Sequence, residues 1–102
     1  MLIKGLKKVL KNLKGDEVKN GEEVATIGKV LAQVVLTPHK TKDGFRPLQA
    51  WQLAQVLHES EQVELTDAEL LQIGELLETT EAFYPFVIGQ IQEHLIKEKQ
   101  TQ

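Results

Sequence analysis

The sequence predicts an all-α fold, a compact bundle of four to five short helices, and three observations carry that prediction. Apolar residues recur at three- and four-residue spacings in segment after segment, the period of a helix face and not of a half-buried strand. Pro47 stands where a proline suits the first turn of one such segment, and Pro85 separates the last two. Thr66-Asp67-Ala68-Glu69 spells a capping box, a start signal for a helix. The 102 residues form a single domain, a length that buries roughly two thirds of the unfolded surface.

The first element is read from Leu2, Ile3, Leu6, Val9, Leu10 and Leu13. On a helical wheel they span about 120°, with Lys4, Lys7, Lys8, Lys11 and Lys14 opposite. A basic amphipathic helix is therefore expected over 1–14, stopped at Gly15 and weakened by about 1 kcal/mol at Gly5. Residues 15–22 read as a loop. The Asn20-Gly21 turn admits a small N-terminal hairpin, Glu17–Lys19 against Glu22–Val24.

A second helix is expected over Glu23–Leu36, with Ile27, Val30, Leu31, Val34 and Val35 on its apolar side. Residues 37–47, TPHKTKDGFRP, form a loop, long against the usual about four to six residues. The third helix runs from Pro47 to Glu59. Its inner side is read as Leu48, Trp51, Ala54 or Gln55, and Leu57 or His58, while Leu53 and Val56 widen the apolar face and offer a second side for contact.

Thr66 caps the fourth helix, Glu69 closes the box, and Leu65 and Leu70 form a hydrophobic staple. This helix extends to Thr79 with Leu70, Ile73, Leu76 and Leu77 inward. The fifth spans Pro85 to Lys97 with Tyr84, Val87, Ile88, Ile91 and Leu95 as its stripe, and the tail at 97–102 frays. The expected core is Ile27, Leu31, Val34, Trp51, Leu57, Leu70, Ile73, Leu77, Val87, Ile88 and Ile91.

Composition bounds the function. Apolar residues make up 41% and charged residues 26%, as in a globular chain and unlike a disordered one. Cysteine is absent, which excludes disulfides, thiolate nucleophiles and cysteine-ligated metals. No apolar run approaches the ~18 residues of a membrane span, so cytoplasmic residence is the expectation. His39, His58 and His94 share no i, i+4 spacing and stand in no ligand pattern, so no metal site is expected. Gly28-Lys29 has no earlier glycine at the spacing a phosphate loop needs. The glutamates fall on solvent faces, where no catalytic pair can be argued. Neither catalysis nor a cofactor is expected.

Charge is strongly segregated. Residues 1–14 hold five lysines and no acid, leaving −8 for the remainder of a chain whose net charge is −3. From Pro47 to Ile96 there is no lysine or arginine, and nine acids lie in that stretch. The candidate interaction surface is Lys4, Lys7, Lys8 and Lys11 with the loop residues Lys40, Lys42, Phe45 and Arg46. Basic side chains around an aromatic can grip a phosphate backbone and stack a base. The plainer alternative is a solvated lysine loop whose Phe45 tucks into the core. For the opening segment, three readings stay open: a helix on anionic lipid, a nonspecific nucleic-acid surface, or a structural helix with its lysines outward. The last is favoured, because charge runs are usually solvated faces.

The segments GEEVATIGKVLAQVVL (21–36), VELTDAELLQIGELL (63–77) and YPFVIGQIQEHL (84–95) resemble small helical proteins encoded by tailed phages and prophages. The resemblance covers about two thirds of the chain. It implies an origin more than a mechanism, because such proteins mostly lack an assigned activity, and it carries over no functional residue. Two functional expectations follow. The first is a non-enzymatic phage-type interaction protein acting by protein–protein contact, with self-association as one form of it. The alternative is a nucleic-acid-associated accessory protein using the basic opening segment and the loop.

Overall fold

The computed structural model of the chain describes residues 1–37 and 45–100. Among these the fold is mainly helical with two small two-stranded sheets. The elements are β1 (Leu2–Ile3), β2 (Lys19–Asn20), β3 (Glu23–Val24), α1 (Ile27–Leu36), α2 (Pro47–Glu59), β4 (Val63–Glu64), α3 (Asp67–Thr79) and α4 (Pro85–Gln100).

α1 lies at the centre. Seven of its ten residues, Ile27, Gly28, Val30, Leu31, Ala32, Val34 and Val35, are buried, so the helix is apolar nearly all round, as a helix covered on several sides must be. Thr26 caps it, its hydroxyl accepting from the Lys29 amide at 3.2 Å. The predicted start at Glu23 is four residues early, because Glu23–Val24 instead pair with Lys19–Asn20 in a hairpin turning at Gly21-Glu22. That hairpin is the one expected from Asn20-Gly21, shifted by a residue.

Residues 1–14 correct the expectation of a basic amphipathic helix, for no helix forms before Ile27. Gly5 stands at φ +75°, which breaks a right-handed helix within its first turns. The carbonyls a helix would use internally go elsewhere. Leu6 accepts from the Gly28 amide at 2.8 Å and Lys8 from the Ile27 amide at 3.1 Å, satisfying two of the orphan donors that open α1. The Leu10 amide in turn donates to Ala25 at 3.0 Å. β1 pairs antiparallel with β4, Leu2 opposite Glu64 and Ile3 opposite Val63, an edge the sequence reading did not foresee.

This extended meander dips into the core at Ile3, Leu6 and Leu10, and Leu13 is fully exposed. The spacing imitates a helix face because a winding chain can touch the core every three or four residues. α4 holds the meander by main-chain contacts. The Gln90 side chain accepts from the Lys11 amide at 3.1 Å and donates to its carbonyl at 2.6 Å, in the manner of a strand neighbour. His94 Nε2 donates to the Lys4 carbonyl at 2.7 Å, one helical turn on.

α1 and α2 form the most extensive helix pair. Their approach is set by Gly28, where an added Cβ would collide with the Leu57 carbonyl oxygen. Small residues follow from that closeness: Ala32 on α1 and Ala50 and Ala54 on α2 are buried. Trp51, expected in the core, is 54% exposed, since an indole does not fit where backbones pack this tightly. α2 turns Ala50, Leu53, Ala54 and Leu57 inward and Leu48, Trp51 and Val56 outward.

α3 carries the expected capping box, with the Glu69 amide donating to Thr66 at 3.1 Å and the Thr66 amide to Glu69 at 2.9 Å. It buries Ile73, Leu76 and Leu77 and half-buries Leu70. α4 buries Val87, Ile88 and Ile91, leaves Tyr84 outside, and runs to Gln100 where fraying was expected from Lys97.

Candidate interaction surface

The predicted site residues do not converge. Lys40 and Lys42, with His39, lie outside the described residues. Phe45 is buried as part of the core and is not placed to stack on a base, which corrects its assignment to the interaction surface. Arg46 is exposed at the N-cap of α2 and makes no side-chain capping bond. Lys4, Lys7, Lys8 and Lys11 are exposed along the meander, held by backbone while their side chains reach solvent. Among the described residues none of these four, nor Lys14, takes part in an ion pair.

Between the meander and α4 lies a small cleft of about 100 Å³ lined by Lys8, Gln90, Glu93, His94 and Lys97. Lys97 bonds Glu93 at 2.9 Å, and that hydrogen bond and charge hold the Glu93 carboxyl below its ordinary range, with a smaller contribution from Lys8. Glu98 approaches His94 at 3.7 Å. His94 is thus a structural donor to Lys4, and its partners here are those of a packed joint. Among the described residues no group of three potential metal ligands is found.

The larger openings flank α1. One groove, of about 310 Å³, runs between α1 and α2 and is bounded by Lys29, Gln33 and Leu36 on one side and Trp51, Gln55 and His58 on the other. A second, of about 410 Å³, lies across Gln33 between α1 and the start of α4, where Tyr84 and Phe86 stack with centroids 6.0 Å apart. Both grooves are shallow and mostly apolar-walled, unlike a closed pocket built around convergent polar groups.

The exposed apolar residues Leu36 and Trp51 stand together at the first of these openings, and exposed Leu48 lies one turn before Trp51 on α2. Sequence reasoning placed Leu48 and Trp51 inside, and so missed this surface. The signal that could have found it is α2 itself, apolar on more than one side and without a lysine, arginine or acid from Pro47 to His58. No known family model matches this chain, and neither a curated protein nor a solved structure matches it.

Proposed function

We propose that this chain is a non-enzymatic interaction protein acting by protein–protein contact, through the side of α2 that carries Trp51. The supporting observation is the exposure of that tryptophan, 54%, with Leu48 at 68% one turn before it. Tryptophan is among the residues most enriched at the energetic centres of interfaces. An apolar cluster rimmed by polar side chains is the usual mark of a contact site. Here the rim is Gln33, Gln52, Gln55 and Lys29. The phage-type origin rests on the sequence patterns at 21–36, 63–77 and 84–95.

The test is site-directed photo-crosslinking in cells that make the protein. A photoreactive residue at Leu48 or Trp51 should yield discrete adducts with protein, and the same residue at Glu75 on the exposed side of α3 should not. Adducts at neither α2 position would defeat the reading.

The nucleic-acid alternative keeps one observation in its favour, the five exposed lysines of the meander, which make no ion pair among the described residues. It loses Phe45 as a stacking group. It requires binding to DNA or RNA that weakens steeply between about 50 and 200 mM salt and is lost when Lys7 and Lys8 become Glu.

A further inference from the structure

The outward face of α2 is self-complementary, and its end charges are reversed with respect to its own dipole. A helix N-terminus is positive and its C-terminus negative, so acids suit the first turn and bases the last. α3 obeys this with Asp67 and Glu69 in its first turn, and α4 with Lys97 and Lys99 in its last. α2 has Arg46 at its N-cap, no acid in its first turn, and Glu59 as its last residue, with His58 beside it. Neither Arg46 nor Glu59 has an ion-pair partner among the described residues. Between them no lysine, arginine or acid occurs, and Leu48, Trp51, Gln52, Gln55 and Val56 are among the exposed residues.

Resting on the contact reading above, we propose that the partner of this face is a second copy of the chain, with the two α2 helices antiparallel across a two-fold axis. The axis then passes between Gln52 and Leu53, halfway from Arg46 to Glu59. Arg46 of each copy meets Glu59 of the other, so each charge lies beside the helix end that favours it, and the pair forms twice. Leu48 and Trp51 lie in the seam and lose their water, and Gln52 stands beside the axis. Leu36 of α1, 45% exposed at the mouth of the same groove, extends the apolar contact beyond the helix pair.

The experiment uses the purified full chain. Light scattering across a concentration series should give twice the 11.5 kDa chain mass, and the emission of the only tryptophan should shift to the blue as the dimer forms. Because cysteine is absent, Gln52→Cys introduces a single thiol beside the axis, and it should form a disulfide-linked dimer on mild oxidation. Glu75→Cys should not. Arg46→Glu and Glu59→Arg should each weaken association by about tenfold, a modest effect proper to exposed ion pairs, and the double reversal should restore it. All these positions are exposed, so each variant should still unfold cooperatively, while the dependence of its thermal midpoint on protein concentration should follow the change in association. A monomer at every concentration overturns the proposal, and so does a dimer in which Gln52→Cys stays unlinked or the double reversal rescues nothing. If the monomer appears but the photoreactive Trp51 position still captures a different protein, the contact reading survives and only the second copy is lost. If neither association is found, both fall.

Discussion

The opening meander and the helix α3 carry the same apolar spacing and reach opposite structures. In both, apolar residues return every three or four positions, and in both they are buried: Ile3, Leu6 and Leu10 in one, Ile73, Leu76 and Leu77 in the other. The difference lies at the ends. α3 opens with Thr66 and Glu69 satisfying each other's backbone, a start signal independent of periodicity. The meander has no such cap, holds a glycine at φ +75°, and sends its carbonyls to the first turn of α1. Burial period states which residues face a core; the backbone bonds decide what shape brings them there.

The largest way to break this comparison is to remove residues 1–14. A spare amphipathic helix could be lost at little cost, whereas the meander supplies Ile3, Leu6 and Leu10 and caps α1. Each of those side chains is worth ~2–5 kcal/mol when truncated to alanine, against a whole-domain stability of about 5–15 kcal/mol. The truncated chain should therefore show no cooperative thermal unfolding. A sharp transition near that of the full chain would mean the meander is an ornament.

Single truncations sharpen the point. Leu6→Ala in the meander and Leu31→Ala in α1 should each cost about 2–5 kcal/mol in chemical denaturation, because both side chains are 1% exposed. A cost under about 1 kcal/mol for Leu6→Ala alone would place it outside the cooperative core.

Much of the helical part was legible in sequence. α2 and α3 begin and end as expected because Pro47 and the Thr66 box are local signals whose physics needs no tertiary partner. The face of α2 was not legible. Leu48 and Trp51 share a side with apolar character equal to that of Leu53 and Leu57, and only the closeness of α1 at Gly28 decides which is buried. The meander misled for the same reason: its bonds run to Ala25, Gly28 and Glu61, distant partners that no local pattern announces. Of the candidate site, Lys4, Lys7, Lys8 and Lys11 are exposed, Lys40 and Lys42 lie outside the described residues, Phe45 was misassigned, and the Trp51 surface was missed.

Gly28 offers a third break. Alanine normally gains about 1 kcal/mol over glycine inside a helix. Here its Cβ would strike the Leu57 carbonyl and press on Leu6 at 3.1–3.2 Å, all backbone or Cβ atoms that cannot swing aside. Gly28→Ala should thus destabilise by about 1–3 kcal/mol, the usual range for overpacking. A gain in stability would show that α1 and α2 sit further apart.

Gly5→Ala tests the sign directly. In a helix it would stabilise by about 1 kcal/mol. In the meander it forces alanine into the left-handed region, a cost of about 1–2 kcal/mol, and sets its Cβ 2.8 Å from Cε1 of a His94 ring already bonded to Lys4. A lower thermal midpoint supports the meander, and a higher one restores the amphipathic helix.

The smallest effect reads the seam between the two regions. Glu93 is depressed in pKa chiefly by Lys97 on its own helix and slightly by Lys8 from the meander. Its charged form is thus favoured by folding, so its contribution is present above the ordinary carboxylate pKa and fades as pH falls through the depressed one. Followed by NMR of the Glu93 carboxyl, Lys97→Gln should raise the midpoint clearly and Lys8→Gln by a smaller amount in the same direction. The order matters more than the size, because Lys97 would act on Glu93 even in an isolated helix through their i, i+4 spacing. Only a meander docked on α4 lets Lys8 act at all, so an unmoved midpoint in Lys8→Gln would detach the two regions at the point where Gln90 and His94 are meant to join them.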